Sequence, residues 1–396
     1  DRTQPVIFCF NGKEYGCFAG DTLASALLAN GILLVARSFK YHRPRGIYSA
    51  GVEEPNALVT VGTGARREPN TRATSIEIYE GLVAGSQNAW PSVNFDIGAI
   101  NNLFSRFFSA GFYYKTFMWP GARGWRIYEH FIRRAAGMGK AARSADPDRY
   151  ERIEAFCDLL VVGSGPAGIA AALVAARSGA RVIVADENAT HGGSITRGIA
   201  DDGAALRYWV SEALSELASL PDVTVMARCT AFGYYDGNVL GLVERVSDHL
   251  ATVAAGTPRQ RHWIVRARQV VLATGAIERP LLFANNDLPG IMLASAAQCY
   301  LREFAVCPGQ QVVIYTNNDS AYSTALAFAP HARVSLVETR RDPPPDLLDA
   351  CRRAGVEVRT HSVVRRAIGS RRVTGVDIQG HGVLACDLLL SSGGWA

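Results

Sequence analysis

Hydrophobic and polar positions along this chain fall into distinct patterns. Near the N-terminus two alternating stretches, 6–10 and 13–18, flank Asn11 and Gly12. That residue pair accepts the positive φ of a tight turn, so a strand–turn–strand hairpin is predicted. Asp21 is placed to cap a helix over 22–30, with Gly31 as its stop signal. From Leu159 to Val162 the pattern becomes an unbroken apolar run, which suits a strand buried on both faces of a parallel sheet. A small-residue helix over 166–178 and a second strand over 181–185 follow. An amphipathic helix is predicted over 207–217, with strands over 223–227 and 269–273. The strand–helix–strand pattern then recurs over 311–315, 319–329 and 334–338, and a last apolar strand starts at Leu388.

The turn after the Leu159 run carries the chemistry. Gly163, Gly165 and Gly168 have the G-x-G-x-x-G spacing. The first allows a tight turn, the second lets backbone approach a pyrophosphate, and the third lets the helix pack against its strand. Pro166 and Ala167 open that helix, whose N-terminal amides and positive dipole end face the phosphates. Asp186 closes the next strand about 20 residues on, where a carboxylate accepts from a ribose 2′-hydroxyl. With Glu187 and Asn188 it forms the strand-end corner, and the two acids repel a 2′-phosphate, so NAD or FAD is favoured over NADP. Gly193 and Ser194, in the loop after this strand, are candidates for phosphate or ribose contact. Ala231 is a candidate for backbone contact with adenine. Thr274 and Gly275 end the 269–273 strand as an Ala-Thr-Gly turn similar to the second fingerprint of glutathione-reductase-like flavoproteins, which carry two dinucleotide domains. The uncharged run 159–176 is long enough to raise a membrane-helix reading. Its glycines and proline would break such a helix.

Composition narrows the classes. The 396 residues suggest two or three domains, and 48% hydrophobic content fills ordinary cores. A net charge of +5, with no long basic block, gives no case for nucleic acid. The eight cysteines are scattered without a C-x-x-C pair, so no metal site or disulfide scaffold is indicated, and a cytoplasmic location with reduced thiols is expected. No signal peptide is evident. No catalytic residue stands out: the histidines lack metal-ligand spacing and no G-x-S-x-G elbow occurs. His191, near the nucleotide loops, is read as a solvated loop residue. Between 104 and 131 aromatic residues (Phe104, Phe107, Phe108, Phe112, Tyr113, Tyr114, Phe117, Trp119, Trp125, Tyr128, Phe131) interleave with Arg106, Lys115, Arg123 and Arg126. Stacking of single-stranded nucleic acid is one reading of such a stretch. A connector buried against other domains or another subunit is preferred, because aromatics and Arg enrich at interfaces.

The N-terminal hairpin and crossing helix resemble the β-grasp domain of plant-type ferredoxins, which holds a [2Fe–2S] cluster on C-x₄-C-x₂-C plus a distant Cys. The loop where such ligands would lie, 43–56, contains no cysteine, so a cluster-less structural domain is expected. In the second strand–helix–strand unit the turn from Thr316 to Ala321 has no glycine, and Asp319 would repel phosphate; this unit is expected to be degenerate and empty. At the last strand Gly393 and Gly394 stand where flavin-binding versions of the fold carry Gly-Asp, which is taken to favour NAD over FAD at the Gly163 site. That strand is expected to complete the first dinucleotide domain, so the chain is read as a piece of something longer.

Several segments together resemble the α-subunit family of heterotetrameric sarcosine oxidases. They include residues 40–47, 54–59, 86–92, 110–118 and 315–322, the last sharing the family's departure from a normal second phosphate loop. The resemblance implies a four-subunit complex that oxidatively demethylates sarcosine to glycine, produces hydrogen peroxide and passes the one-carbon unit to tetrahydrofolate. It implies NAD on this chain, FAD on the β subunit, FMN near the α–β boundary, and γ and δ subunits as further partners. The folate site belongs to a C-terminal half absent from these 396 residues, so this piece alone is not expected to be catalytically competent. Alternatives are the α subunit of a related opine or secondary-amine dehydrogenase, and a stand-alone FAD/NADH reductase. The fold class expected is α/β. Residues 1–84 form a cluster-less β-grasp domain and 85–156 an aromatic-rich connector. Residues 157–290, completed by 386–396, form a Rossmann-like NAD domain, and 291–385 a degenerate second nucleotide unit.

Overall fold

The computed structural model describes residues 2–107, 111, 121–135, 139–199 and 203–396. The chain divides into two compact units. One takes Asp1–Asp146, Glu278–Leu301 and Val306–Gly394; the other takes Pro147–Ile277, Arg302–Ala305 and the last two residues.

The first unit begins with the expected hairpin, β1 (Pro5–Phe10) and β2 (Lys13–Phe18). Asn11 and Gly12 take φ of 52° and 78°, the left-handed pair that two-residue hairpins need. Helix α1 (Leu23–Ala29) buries nearly every side chain. Its cap is Thr22 and not Asp21: Thr22 Oγ1 accepts from Ser25 N at 3.1 Å while Ser25 Oγ accepts from Thr22 N at 3.0 Å. Thr and Ser three apart satisfy both orphan amides reciprocally, which frees Asp21 to accept from Phe18 N and Ser25 Oγ. Strands β3 (Ala36–Arg37) and β4 (Pro44–Arg45) pair with each other. Strands β5 (Leu58–Val61), β6 (Glu68–Arg72) and β7 (Val83–Ser86) complete a mixed sheet in the order β2-β1-β7-β5-β6. In the aromatic stretch, Phe104, Phe107 and Phe131 are exposed, and Trp125 and Tyr128 on α2 (Ala122–Ala135) are half-buried. Phe108, Phe112, Tyr113, Tyr114, Phe117 and Trp119 lie outside the described residues.

The second unit is built on β8 (Tyr150–Val162), α3 (Pro166–Arg177), β9 (Val182–Ala185), α4 (Gly203–Ser219), β10 (Val223–Met226), β11 (Cys229–Tyr235), β12 (Val239–Arg245) and β13 (Gln260–Leu272). Its sheet runs β10-β9-β8-β13-β12-β11, with the first four strands parallel and the last three an antiparallel meander. Leu159 and Val161 pack with Ile169, Leu173 and Leu217 on one face, and Leu160 packs with Met226, Leu242 and Val265 on the other. The apolar run is therefore covered on both sides, as its pattern requires. Strand β8 starts at Tyr150, just after the turn signal at 145–148 that places a domain boundary near residue 150, and seven residues before the Rossmann-like assignment at 157. Residues 150–156 alternate between exposed and half-buried positions along the meander, a period-2 signal that the apolar run overshadowed. β13 extends back to Gln260 because it pairs with β8 along that whole length.

The remainder of the first unit holds β14 (Ile291–Leu293), α5 (Ala294–Arg302), β15 (Gln311–Thr316), α6 (Ser320–Phe328), β16 (Arg333–Glu338), α7 (Pro345–Arg353) and β17 (Glu357–Arg359). An antiparallel trio follows, β18 (Val364–Gly369), β19 (Val373–Ile378) and β20 (Gly382–Ala385), and then β21 (Leu388–Ser392). The parallel sheet runs β14-β21-β15-β16-β17. This corrects the expectation that 386–396 completes the glycine-motif domain. Both edges of β8 are already taken by β9 and β13, whereas Leu388, Leu389 and Leu390, each 0% exposed, fill the slot between β14 and β15. The continuous stretch of the glycine-motif unit ends at Ile277 rather than 290, and of 386–396 only Trp395 and Ala396 join it. Among the described residues no helix is long and apolar enough to cross a membrane.

Leu389→Ala tests this placement. Emptying a fully buried leucine site should cost about 2–5 kcal/mol. Hydrogen exchange should quicken in β14 and β15 and leave 159–162 unchanged; the opposite distribution would return β21 to the other sheet.

Candidate functional site

The C-terminal ends of parallel strands in an open α/β sheet form the crevice where such folds bind ligands. In the second unit the ends of β8, β9 and β13 converge there. Gly163 has φ +99°, and a Cβ built on it would lie 2.3 Å from Ala273 O. That close approach brings Thr274 and Gly275 (φ +74°) beside the turn. Ala273 N donates to Val162 O at 2.8 Å and Gly163 N to Ala185 O at 2.8 Å, tying three strand ends together. A Cβ on Gly168 would stand 1.9 Å from Gly163 O, so the helix can pack this closely only with glycine there. At Gly165 the opposite holds: a Cβ would meet nothing within 4 Å. The turn is tight on its protein side and open on the other.

Gly165 is the N-cap of α3, with no side-chain cap, and Pro166 is at N1. Ile169 N closes the first helical bond to Gly165 O at 2.9 Å. The amides of Ala167 and Gly168 are thus among the orphan donors of a helix start. Gly193 backs onto this turn, since a Cβ there would lie 2.9 Å from Gly165 Cα, and Ser194 beside it is exposed. Cys229 N donates to Asp186 O at 2.7 Å, which puts Ala231 two residues along β11 from the Asp186 corner.

Asp186 is 6% exposed and its carboxylate is filled by protein donors. Oδ2 accepts from Ser164 N and Ser164 Oγ, both at 2.7 Å; Oδ1 accepts from Asn188 N and Nδ2, both at 2.9 Å. A carboxylate offers about four lone-pair sites, so these bonds occupy it. The acid expected to meet a ribose hydroxyl instead locks the glycine turn to its own strand end. His191 Nδ1 lies 2.9 Å from Ser164 Oγ. The single Ser164 hydroxyl proton goes to Asp186, so His191 Nδ1 is the donor in this contact and Nε2 is left as an acceptor. Burial pushes His191 below the usual imidazole range, against the upward pull of Asp186. Sequence reasoning passed over Ser164 and set His191 aside as solvated. A hydroxyl at the variable position inside G-x-G was the available signal.

The degenerate unit shows the same corner closed. Glu338, 0% exposed at the end of β16, accepts from Tyr322 Oη at 3.1 Å, Arg340 N at 2.9 Å and an Arg340 Nη at 2.8 Å. Arg340 also pairs with Asp319 at 2.8 Å, and Asn318 Nδ2 reaches Ser392. Here the turn carries side chains, tied to one another and to Ser392, where the first turn has the bare backbone of Gly165.

In the β-grasp part, a cavity of about 170 Å³ is lined by Arg37, Arg45, Asn56, Gln87 and Asn88 among others. The nearby loop holds Glu54, 1% exposed, ringed by amide donors. Among the described residues no group of three or more His, Cys, Asp or Glu side chains could hold a metal ion. Cys9 and Cys17 sit on the hairpin strands.

Two family models match the chain: a 2Fe-2S iron-sulfur cluster binding domain over residues 3–89, and a pyridine nucleotide-disulphide oxidoreductase domain over 157–395. The sarcosine oxidase subunit alpha of Rhizobium meliloti (strain 1021) is 50% identical over 405 aligned residues, which cover 100% of this chain and 40% of that protein. The same subunit of Corynebacterium sp. (strain P-1) is 39% identical over 367 residues, 92% of this chain and 33% of that protein. The chain thus spans about two fifths or less of these relatives' length. Among solved structures, L-proline dehydrogenase from P. horikoshii superposes with a TM-score of 0.61 at 20% identity, covering 100% of this chain and 61% of that one, a likeness of fold. The residues present do not fit an iron–sulfur cluster, because loop 43–56 offers no thiolate and encloses a carboxylate instead.

Two outcomes follow from this geometry. Asp186→Ala should leave the Ser164 and Asn188 donors unsatisfied, at about 1–3 kcal/mol per buried group, and lower dinucleotide content. Unchanged content under dilute conditions would remove Asp186 from the site. Protein made anaerobically should contain no stoichiometric iron or acid-labile sulfide, and an iron-bearing visible chromophore would contradict the reading of the β-grasp loop.

Proposed function

The chain belongs to the pyridine nucleotide-disulphide oxidoreductase family, and from that premise we propose that it is the NAD-carrying portion of a sarcosine oxidase α subunit. The supporting observation is the glycine turn: closed toward Ala273, open at Gly165 and faced by Gly193, in a chain 50% identical along its length to such a subunit. Gly165, Ala167, Gly168 and Gly193 would hold the pyrophosphate through backbone. Glu187 and Asn188 would border the adenosine ribose, with Ala231 along the adenine and Thr274 and Gly275 at the crevice wall. Asp186 acts behind them, fixing Ser164 and Asn188, and its charge with that of Glu187 disfavours a 2′-phosphate.

When bound, NAD supplies a nicotinamide able to accept hydride; in this chain we assign it a structural or vestigial place. None of the site side chains is disposed as a nucleophile, and the neutral His191 imidazole is committed through Nδ1 to Ser164. Oxidation of sarcosine to glycine, formation of hydrogen peroxide and transfer of the one-carbon unit to tetrahydrofolate would then belong to the full complex. Its β, γ and δ subunits, with FAD and FMN on or near β, complete the proposal, and the exposed Phe104, Phe107 and Phe131 suit a face covered by such a partner.

Gly393 and Gly394 do not bear on the Gly163 site, because β21 belongs to the other sheet. Denaturing the purified chain should release NAD in near-equimolar amount. Release of FAD without NAD would overturn the assignment and mark an ordinary flavoprotein domain.

A further inference from the structure

The cluster-less loop is not an empty remnant. Plant-type ferredoxins space three of their ligands as C-x₄-C-x₂-C. In this chain Ser49, Glu54 and Ala57 have that spacing, and they are 0%, 1% and 0% exposed. The three positions meet at one group. Glu54 Oε2 accepts from Tyr48 N at 2.8 Å, Ser49 N at 2.7 Å and Ser49 Oγ at 3.4 Å. Glu54 Oε1 accepts from Asn56 N at 2.7 Å and Ala57 N at 3.0 Å. Four backbone amides thus point inward at one anion. Clusters are likewise anionic and take hydrogen bonds at their sulfurs.

We infer that the Glu54 carboxylate has taken the place of the [2Fe–2S] cluster as the anion around which this loop folds, making the loop an internal carboxylate-binding site. The arrangement converts an electron-carrying loop into a rigid strut. Tyr48 O accepts from Leu293 N at 2.9 Å and Ser49 O accepts from Tyr300 Oη at 2.8 Å, so the loop holds β14 and α5 of the same unit. Thr74 Oγ1 donates to Gly51 O at 2.7 Å and Arg72 Nε to Glu54 O at 3.2 Å, bracing its other side. The four backbone N–H groups on the Glu54 carboxylate favour its ionised form. Burial pushes its pKa up, and the Ser49, Asn56, Tyr48 and Ala57 amides pull against that shift.

Chemical rescue tests the inference in the 396-residue chain. Glu54→Ala removes an acetate-sized piece, so the amides of Tyr48, Ser49, Asn56 and Ala57 should lose about tenfold or more of their hydrogen-exchange protection. Sodium acetate or formate should restore it, and sodium chloride at equal ionic strength should not. Glu54→Gln keeps one carbonyl oxygen and turns its NH₂ toward the other donors. It should retain protection at one amide pair (48/49 or 56/57) and lose it at the other, a readout that survives if the alanine variant does not fold. Full protection at all four amides in either variant overturns the inference. So does loss in Glu54→Ala that acetate, formate and chloride leave equally unrepaired, which would mark Glu54 as packing only.

Discussion

A carboxylate removed from water is stable only if donors fill its lone pairs, because an unpaired buried charge costs many kcal/mol. That constraint organises the loops of this protein. Asp186, Glu54 and Glu338 are 6%, 1% and 0% exposed, and each gathers amide or side-chain donors from the loop or turn around it. Strands and helices supply the cores, but the turns and the loop around these three acids take their shape from them.

The framework was legible in the sequence where pattern and physics coincide. An apolar run bounded by glycines announced β8, and Asn11-Gly12 announced the first hairpin. The regular repeat of strand and helix announced the second parallel sheet. Boundaries were less legible where two signals overlap. Residues 150–156 alternate as a half-exposed strand should, yet they run directly into the apolar segment that dominates the window. Asp21 and Thr22 are both good caps, and only the reciprocal bond with Ser25 decides between them.

Strand β21 failed for a different reason. Its residues, three leucines and two serines, specify burial on both faces but not the sheet in which that burial occurs. Strand order is a global property: β8 had no vacant edge, and β14 and β15 left one between them. Gly393 and Gly394, which follow this strand, therefore lie outside the glycine-motif sheet and carry no weight against a flavin there. Within the site, glycine positions were readable because a missing Cβ has a steric meaning. The Asp186–Ser164–His191 chain was not, because hydrogen-bond partners depend on which loops meet.

Asp186 and Glu338 stand at equivalent corners, each at the end of the second strand of a β–α–β unit and each with its charge satisfied by protein. What separates the two units is the turn facing the acid. Around Gly163 the close contacts are with backbone of the protein itself, and Gly165 leaves the outer side clear. Around Asn318 side chains reach inward, with an amide on Ser392 and an ion pair between Asp319 and Arg340. A pyrophosphate needs donors without competing carboxylates and needs backbone close at hand. Of the two turns, the first alone keeps its outer face open at Gly165, and the dinucleotide proposed for this chain is assigned to it.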